Sequence, residues 1–256
     1  MGKLGGKVAV ITGGGSGIGR AAALLFAEEG AAVAVADLRP GAAQEVADEI
    51  LETGGKAVAI QVDVSQAGDA ARMVEATVGE LGSLHILYNN AGADSSGDVV
   101  DETEDGWDRC LGVNARGTFL CSKFAVPEIE AAGGGSIINQ GSVAALVGIR
   151  NFAAYCAAKG AVVALSRAMA VDLAPRAIRV NCICPGTVLT PLMEQLIRAR
   201  GEGDLERGID LTVPKYPLGR LGTPEDVARV ALFLAGDDAS WITGSVYTVD
   251  GGMTAQ

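Results

Sequence analysis

Ser142, Tyr155 and Lys159 have the types and spacing to move a proton. Tyr155 and Lys159 stand four apart in a stretch of helical period, so both project from one helix face. A phenol titrates near pH 10 and is a poor acid or base at neutrality. An ammonium one turn away favours the phenolate and brings it towards the working range. Ser142 follows an apolar run and can hydrogen-bond an oxygen being oxidised or reduced, while Asn114 can hold a water linking Lys159 to solvent. Taken alone, a Tyr-x-x-x-Lys pair also describes a half-buried tyrosine beside a lysine whose charge reaches the surface. The rest of the chain has to decide between these readings.

A redox reaction at that oxygen needs a hydride carrier, and the N-terminal part supplies a place for one. Residues 7–12 (KVAVIT) read as a buried strand that runs through TGGGSGIG, residues 12–19, straight into a helix. Gly13, Gly17 and Gly19 sit where a dinucleotide turn needs a sharp reversal, close approach of a pyrophosphate and tight helix–strand packing. Ser16 and Ile18 lie between them, and the helix N-terminus offers free N–H groups to phosphate. Asp37, followed by Leu38, closes the next strand 18 residues beyond Gly19, the offset at which an acid bonds the ribose hydroxyls of NAD. Against the 2′-phosphate of NADP the same carboxylate would meet a like charge, about 4 kcal/mol per unit pair at ~4 Å and an effective dielectric of 20. Arg39 could hold that phosphate, but no Lys or Arg stands at Gly14, Gly15 or Ser16 to help it. NAD is therefore the expected cofactor and NADP the lesser alternative.

Apolar β-branched runs at 32–37, 56–62, 86–89, 136–140, 178–184 and 245–249 alternate with helical stretches at 18–29, 42–52, 67–81, 105–131, 152–173 and 224–234. Strands apolar on both faces and separated by helices predict one doubly wound α/β domain with a parallel sheet. Residues 187–221 break the rhythm as a long connection, either functional or partly disordered. The chain has 256 residues, 49% hydrophobic and 20% charged, which excludes a disordered protein. A net charge of −11 argues against nucleic acid or an anionic membrane as partner. The five cysteines, at 110, 121, 156, 182 and 184, have no framework or metal-site spacing, and no metal is expected. No apolar leader precedes Val8 and no unbroken apolar run reaches the ~18 residues of a membrane span, so the expectation is a cytoplasmic protein with reduced thiols. His85, the only histidine, reads as structural.

Taken in order, TGGGSGIG at 12–19, Asp63-Val64, Asn89-Asn90-Ala91-Gly92, Asn114, Ser142, Tyr155-Cys-Ala-Ala-Lys159 and Pro185-Gly186 resemble the compact branch of the short-chain dehydrogenase/reductase family over essentially the whole chain. The resemblance implies a Rossmann-like seven-stranded parallel sheet of order 3-2-1-4-5-6-7 with helices on both faces, and NAD(P)-dependent interconversion of an alcohol and a carbonyl. It implies that Tyr155 is the general acid/base, Ser142 polarises the substrate oxygen, Lys159 lowers the Tyr155 pKa and binds the nicotinamide ribose, and Asn114 completes a proton relay. Asp63 and Val64 would flank the adenine, Asn90, Ala91 and Gly92 would line the cofactor, and Pro185, Gly186, Val188 and Thr190 would stand beside the nicotinamide. It also implies a homotetramer. Gln140-Gly141 departs from the serine common just before Ser142.

The substrate is expected to be a small-molecule alcohol or ketone in a pocket made by residues 94–96, 144–152 and a lid at about 187–221. Ala144, Leu146, Val147 and Phe152 suit a neutral, partly apolar alcohol; Arg150, Arg198, Arg200 and Arg207 could instead receive a carboxylate, or pair with Glu194, Glu202 and Glu206. An NADPH-linked 3-oxoacyl reductase and a non-catalytic NAD-sensing module remain the alternatives.

Overall fold

The computed structural model describes residues 2–256. Seven parallel strands, β1 (Val8–Thr12), β2 (Ala32–Asp37), β3 (Lys56–Gln61), β4 (Ile86–Asn89), β5 (Gly135–Gln140), β6 (Ile178–Pro185) and β7 (Val246–Val249), form one sheet in the order 3-2-1-4-5-6-7. The expected topology is the observed one. Alternate strand residues feed two cores. Ile11, Val33, Val35, Tyr88 and Ile138 pack with Phe26, Val46 and Val227 on one face. Val10, Ala34, Leu87, Ile137 and Val180 pack with Met73, Leu120 and Ile129 on the other. Burying a side chain such as Phe26, fully enclosed, contributes about 2–3 kcal/mol. That two-sided burial is why the strands carry no polar alternation.

The helices are α1 (Gly17–Glu28), α2 (Pro40–Glu52), α3 (Ala67–Leu81), α4 (Glu104–Leu111), α5 (Gly117–Ala131), α6 (Ala153–Leu173), α7 (Pro191–Arg200), α8 (Leu205–Thr212) and α9 (Pro224–Ala235). Their ends follow local chemistry. Thr223 and Asp226 close a capping box at α9, with Pro224 in the first turn and Arg220 held on Asp226 at 2.6 and 3.0 Å. α3 stops at Gly82, which adopts φ +83. His85 is structural, its Nδ1 accepting from Val8 N at 3.0 Å. Ala153–Arg176 has the length and composition of a membrane-crossing helix, but Ala154, Ala158, Val162, Val163 and Ala170 are buried within the domain.

Two stretches differ from the sequence reading. Residues 105–131 are not one regular helix: a π-helical turn, Gly112–Arg116, separates α4 from α5. The wider turn surrounds Asn114, whose Nδ2 donates to Ala93 O at 2.6 Å and Cys110 O at 2.8 Å. Residues 187–221 are not one long loop, because α7 and α8 lie within them and pack as a pair around Ile197, Tyr216 and Leu221. Leu192, Met193, Leu196 and Ile197, then Leu205 and Ile209, stand at helical spacing, but each run is short and set among polar residues of a long connection.

Gly19 is the tightest point of the first crossover: a Cβ there would lie 2.1 Å from Gly13 O and 2.5 Å from Asn90 Nδ2. Gly19→Ala is expected to cost at least about 2–3 kcal/mol by overpacking, seen as a lower melting temperature. An unchanged melting point would mean that the β1–α1 turn yields freely.

Candidate active site

The C-terminal ends of the strands open onto a cavity of about 1210 Å³. At one end it is built from backbone. Gly13 and Gly17 have φ +65 and +52, conformations that a side chain strains. Ser16 caps α1 without a side-chain hydrogen bond, so the first N–H groups of the helix are left for a ligand. Asn90 ties the loop after β4 to this turn, its Nδ2 donating to Thr12 O at 2.9 Å while Thr12 Oγ1 accepts from Asn90 N at 3.1 Å and Ala91 N at 3.0 Å.

Asp37 is 7% exposed, and its carboxylate accepts from Gly15 N and Arg39 N, both at 3.0 Å. Arg39 lies back along it, Nε 3.6 Å from Oδ1, and its Nη2 reaches Ser16 Oγ at 3.2 Å. Asp63 turns its carboxylate to Ser65, accepting from the amide at 2.9 Å and from the hydroxyl at 2.7 Å. Thr190 caps α7 through Met193 N at 3.2 Å and packs its methyl towards Gly17.

Towards the other end, Ser142 Oγ accepts from Ala144 N at 3.1 Å, which leaves its proton free to donate into the cavity. Lys159, 3% exposed, donates to Gln140 O at 2.8 Å and lies 5.6 Å from the centre of the Tyr155 ring. Asn114 Oδ1 accepts no hydrogen bond from the described residues. A side chain at Gly92 would meet that oxygen at 2.9 Å and Lys159 Nζ at 3.5 Å, so both groups flank the bare Gly92 backbone.

The expected site residues Gly13, Ser16, Gly17, Ile18, Asp37, Leu38, Asp63, Val64, Asn90, Ala91, Gly92, Ser142, Tyr155, Lys159, Pro185, Gly186, Val188 and Thr190 all line this cavity. Gly19 and Asn114 stand outside that lining and act on it through Gly13 and Gly92. Sequence reasoning missed Gln140 as the carbonyl that holds Lys159, and Tyr216. The Tyr216 hydroxyl donates to Thr187 Oγ1 at 2.6 Å and accepts from Thr187 N at 2.9 Å, bracing the loop after β6. Both contacts are made across the fold, and no local spacing signals them.

Burial pushes the Tyr155 phenol up to about 12, with the Ser142 side chain pulling it back and Cys110, Asp94 and Cys156 raising it. Burial also pushes Lys159 down to about 8. Desolvation disfavours the charged form of each.

A family model described as "Enoyl-(Acyl carrier protein) reductase" matches residues 13–254. A short-chain type dehydrogenase/reductase from Mycobacterium marinum superimposes with a TM-score of 0.89 at 38% identity, over 99% of this chain and 97% of that one. The chain is a short-chain dehydrogenase/reductase. It is 43% identical to a cyclohexanol dehydrogenase of Acinetobacter sp. (strain SE19), over 99% of this chain and 97% of the relative. A 7α-hydroxysteroid dehydrogenase solved with NADH and 7-oxo glycochenodeoxycholic acid shares 36% identity at a TM-score of 0.89, over 98% of this chain and 95% of that one. Like these relatives, this short-chain dehydrogenase/reductase is an oxidoreductase acting on CH–OH groups.

The Lys159 shift makes a stability prediction. Below pH ~8 the ammonium is charged in both folded and unfolded chains and its burial cost is fully present, about 3 kcal/mol at ~1.4 kcal/mol per unit. Between about 8 and the ordinary lysine value near 10.4 the unfolded chain binds more protons, so stability rises with pH. Lys159→Met is expected to melt several degrees above the parent at neutral pH, the gap narrowing through that window. A variant that melts lower throughout would show that the Gln140 hydrogen bond outweighs desolvation.

Proposed function

We propose that this chain interconverts a secondary alcohol and its ketone with NAD, Tyr155 exchanging the hydroxyl proton. The observation that carries the reading is one cavity with Ser142 and Tyr155 at one end, Lys159 buried behind them, and the fixed carboxylate of Asp37 at the other. Asp37 presents to the adenosine end an acceptor that suits a ribose diol and opposes a 2′-phosphate. Gly13, Gly17 and the open first turn of α1 offer N–H groups to the pyrophosphate. When bound, the nicotinamide supplies the hydride acceptor and, in its oxidised form, a positive charge that favours the phenolate.

In the oxidative direction Ser142 donates to the carbinol oxygen and positions it. Tyr155, as phenolate, takes the hydroxyl proton while the carbinol carbon loses its hydride, and the products are a ketone and the reduced cofactor. The Lys159 ammonium stabilises the phenolate and would hold the nicotinamide ribose. Asn114 Oδ1 serves as the acceptor through which a water hands protons between Lys159 and solvent. Residues 187–221 act as the lid over the substrate, and 1–256 as one domain. Trp107 on α4 and Phe119 on α5, 40% and 48% exposed, suit contacts with a second copy in a homotetramer. Five free cysteines suit the cytoplasm.

An NADPH-linked 3-oxoacyl reductase is the second reading, favoured by the reach of Arg39 to Ser16. Fluorescence titration with NADH and NADPH separates them. NADH is expected to bind more tightly, and Asp37→Ala to raise KM for NAD at least about tenfold while narrowing discrimination against NADP. Tighter NADPH binding by the parent would reverse the assignment. Tyr155→Phe is expected to lower kcat/KM on secondary alcohols by about 10²–10⁴ with NADH affinity retained. Turnover equal to that of the parent would remove Tyr155 from the mechanism.

A further inference from the structure

Four cations lie on or just after the two helices that follow β6: Arg198, Arg200, Arg207 and Lys215. Two are neutralised where they stand. Arg198 pairs with Glu194 at 2.8 Å and Arg207 with Glu202 at 2.6 Å, both on the outside. Arg200 and Lys215 form no ion pair with any carboxylate among the described residues, and these two line the cavity that holds Ser142 and Tyr155.

Their setting is built. Arg200 Nη1 donates to Thr212 Oγ1 at 2.7 Å, and Thr212, fully buried, donates in turn to Gly208 O at 2.7 Å. One edge of the guanidinium is thereby anchored, and its remaining N–H groups are left to bind. Partial burial and the charge of Arg200 both hold Lys215 below the ordinary lysine range, which places the two exposed cations within electrostatic reach of one another. The C-terminal end of α7 favours a cation at Arg200, as it does at Arg198, but it does not account for Lys215. The same lining includes the apolar side chains of Phe152, Leu192 and Leu196. Asp94 and Arg150, on the loops after β4 and β5, line the same cavity, and the charge of Asp94 acts on Tyr155.

We propose that the substrate is an alcohol with an apolar body and a terminal oxyanion, a carboxylate or a sulfonate, received by Arg200 and Lys215. The inference rests on the reading of this cavity as the alcohol site of an NAD-dependent dehydrogenase, and it names the substrate class of that site. Arg200 offers the planar fork that matches two oxyanion oxygens, and Lys215 a point charge beside it.

The test uses the full-length protein with NAD and a series of hydroxy acids from 3-hydroxybutanoate to 9-hydroxydecanoate, each beside its methyl ester. Hydroxy sulfonates of matching length form a separate arm. At the best length the acid is expected to exceed its ester in kcat/KM by at least about tenfold, the worth of one charge-assisted hydrogen bond. Lys215→Met and Arg200→Gln should each bring that ratio towards one, chiefly through KM of the acid, while Lys215→Arg retains it. Arg198→Gln, which alters an outward ion pair, should leave the ratio as it is. Should Arg200→Gln fold poorly for loss of the Thr212 bond, Lys215→Met carries the test. A larger kcat/KM in the sulfonate or the carboxylate arm names the oxyanion, and either supports the proposal. Equal turnover of acids and esters by the parent, or a ratio that survives both substitutions, overturns it and leaves the dehydrogenase reading intact. Absence of turnover on acids, esters and plain secondary alcohols alike overturns both.

Discussion

The buried ammonium of Lys159 is the constraint on which the site depends. An ion placed at 3% exposure is tolerable only where its donors meet fixed acceptors, and the acceptor here is the backbone carbonyl of Gln140 at the end of β5. That carbonyl is immobile because β5 pairs on both sides, Asn139 with Asn89 of β4 and Gln140 with Ile183 of β6. The Gln140 side chain is held as well, its Oε1 accepting from the buried Tyr88 hydroxyl at 2.6 Å. Sheet, ammonium and α6 are thus tied at one point, and Tyr155, one turn earlier on α6, takes its position from that tie. A protein selected for stability alone would place a methionine there.

The two ends of the cavity are made by different means. The dinucleotide end is backbone geometry: left-handed glycines, an uncapped helix start and an asparagine stitching two loops together. Such a surface suits a ligand common to a whole family, since side chains contribute little to it beyond Asp37. The substrate end is made of side chains on α7, α8 and the turn after them, held to the strand loop by Tyr216 on Thr187. Sequence can change there without disturbing the sheet, which suits a protein whose relatives include a cyclohexanol dehydrogenase and a 7α-hydroxysteroid dehydrogenase.

Legibility in the sequence follows the range of the interactions. The strands could be read because both faces of the sheet are buried, so that VAVIT and AVAVAD had to be apolar throughout. The glycine turn, Asp37 and the Tyr155–Lys159 spacing could be read because each is a local requirement of backbone or helix geometry. The π-helical turn at Gly112–Arg116 could not: its residues lie in helical backbone, and the extra residue is stabilised by Ala93, distant in sequence. The helices α7 and α8 carry only short runs of helical spacing, and the faces they bury are completed by Tyr216 and Leu221, outside both helices.

The sequence by itself determined the topology, the order of the motifs and the identities of the groups that can exchange a proton and cradle a dinucleotide, because these depend on periodicity and short spacing. Only the tertiary structure decided their charge states and their partners. Burial disfavours the charged forms of both Tyr155 and Lys159, which helical spacing cannot show, because desolvation depends on what packs around a group. Likewise, the five basic residues of the segment after β6, Arg198, Arg200, Arg207, Lys215 and Arg220, are equivalent as text. Folding places three of them in ion pairs and leaves Arg200 and Lys215 on the cavity lining, since which carboxylates lie within reach is a property of the packed chain.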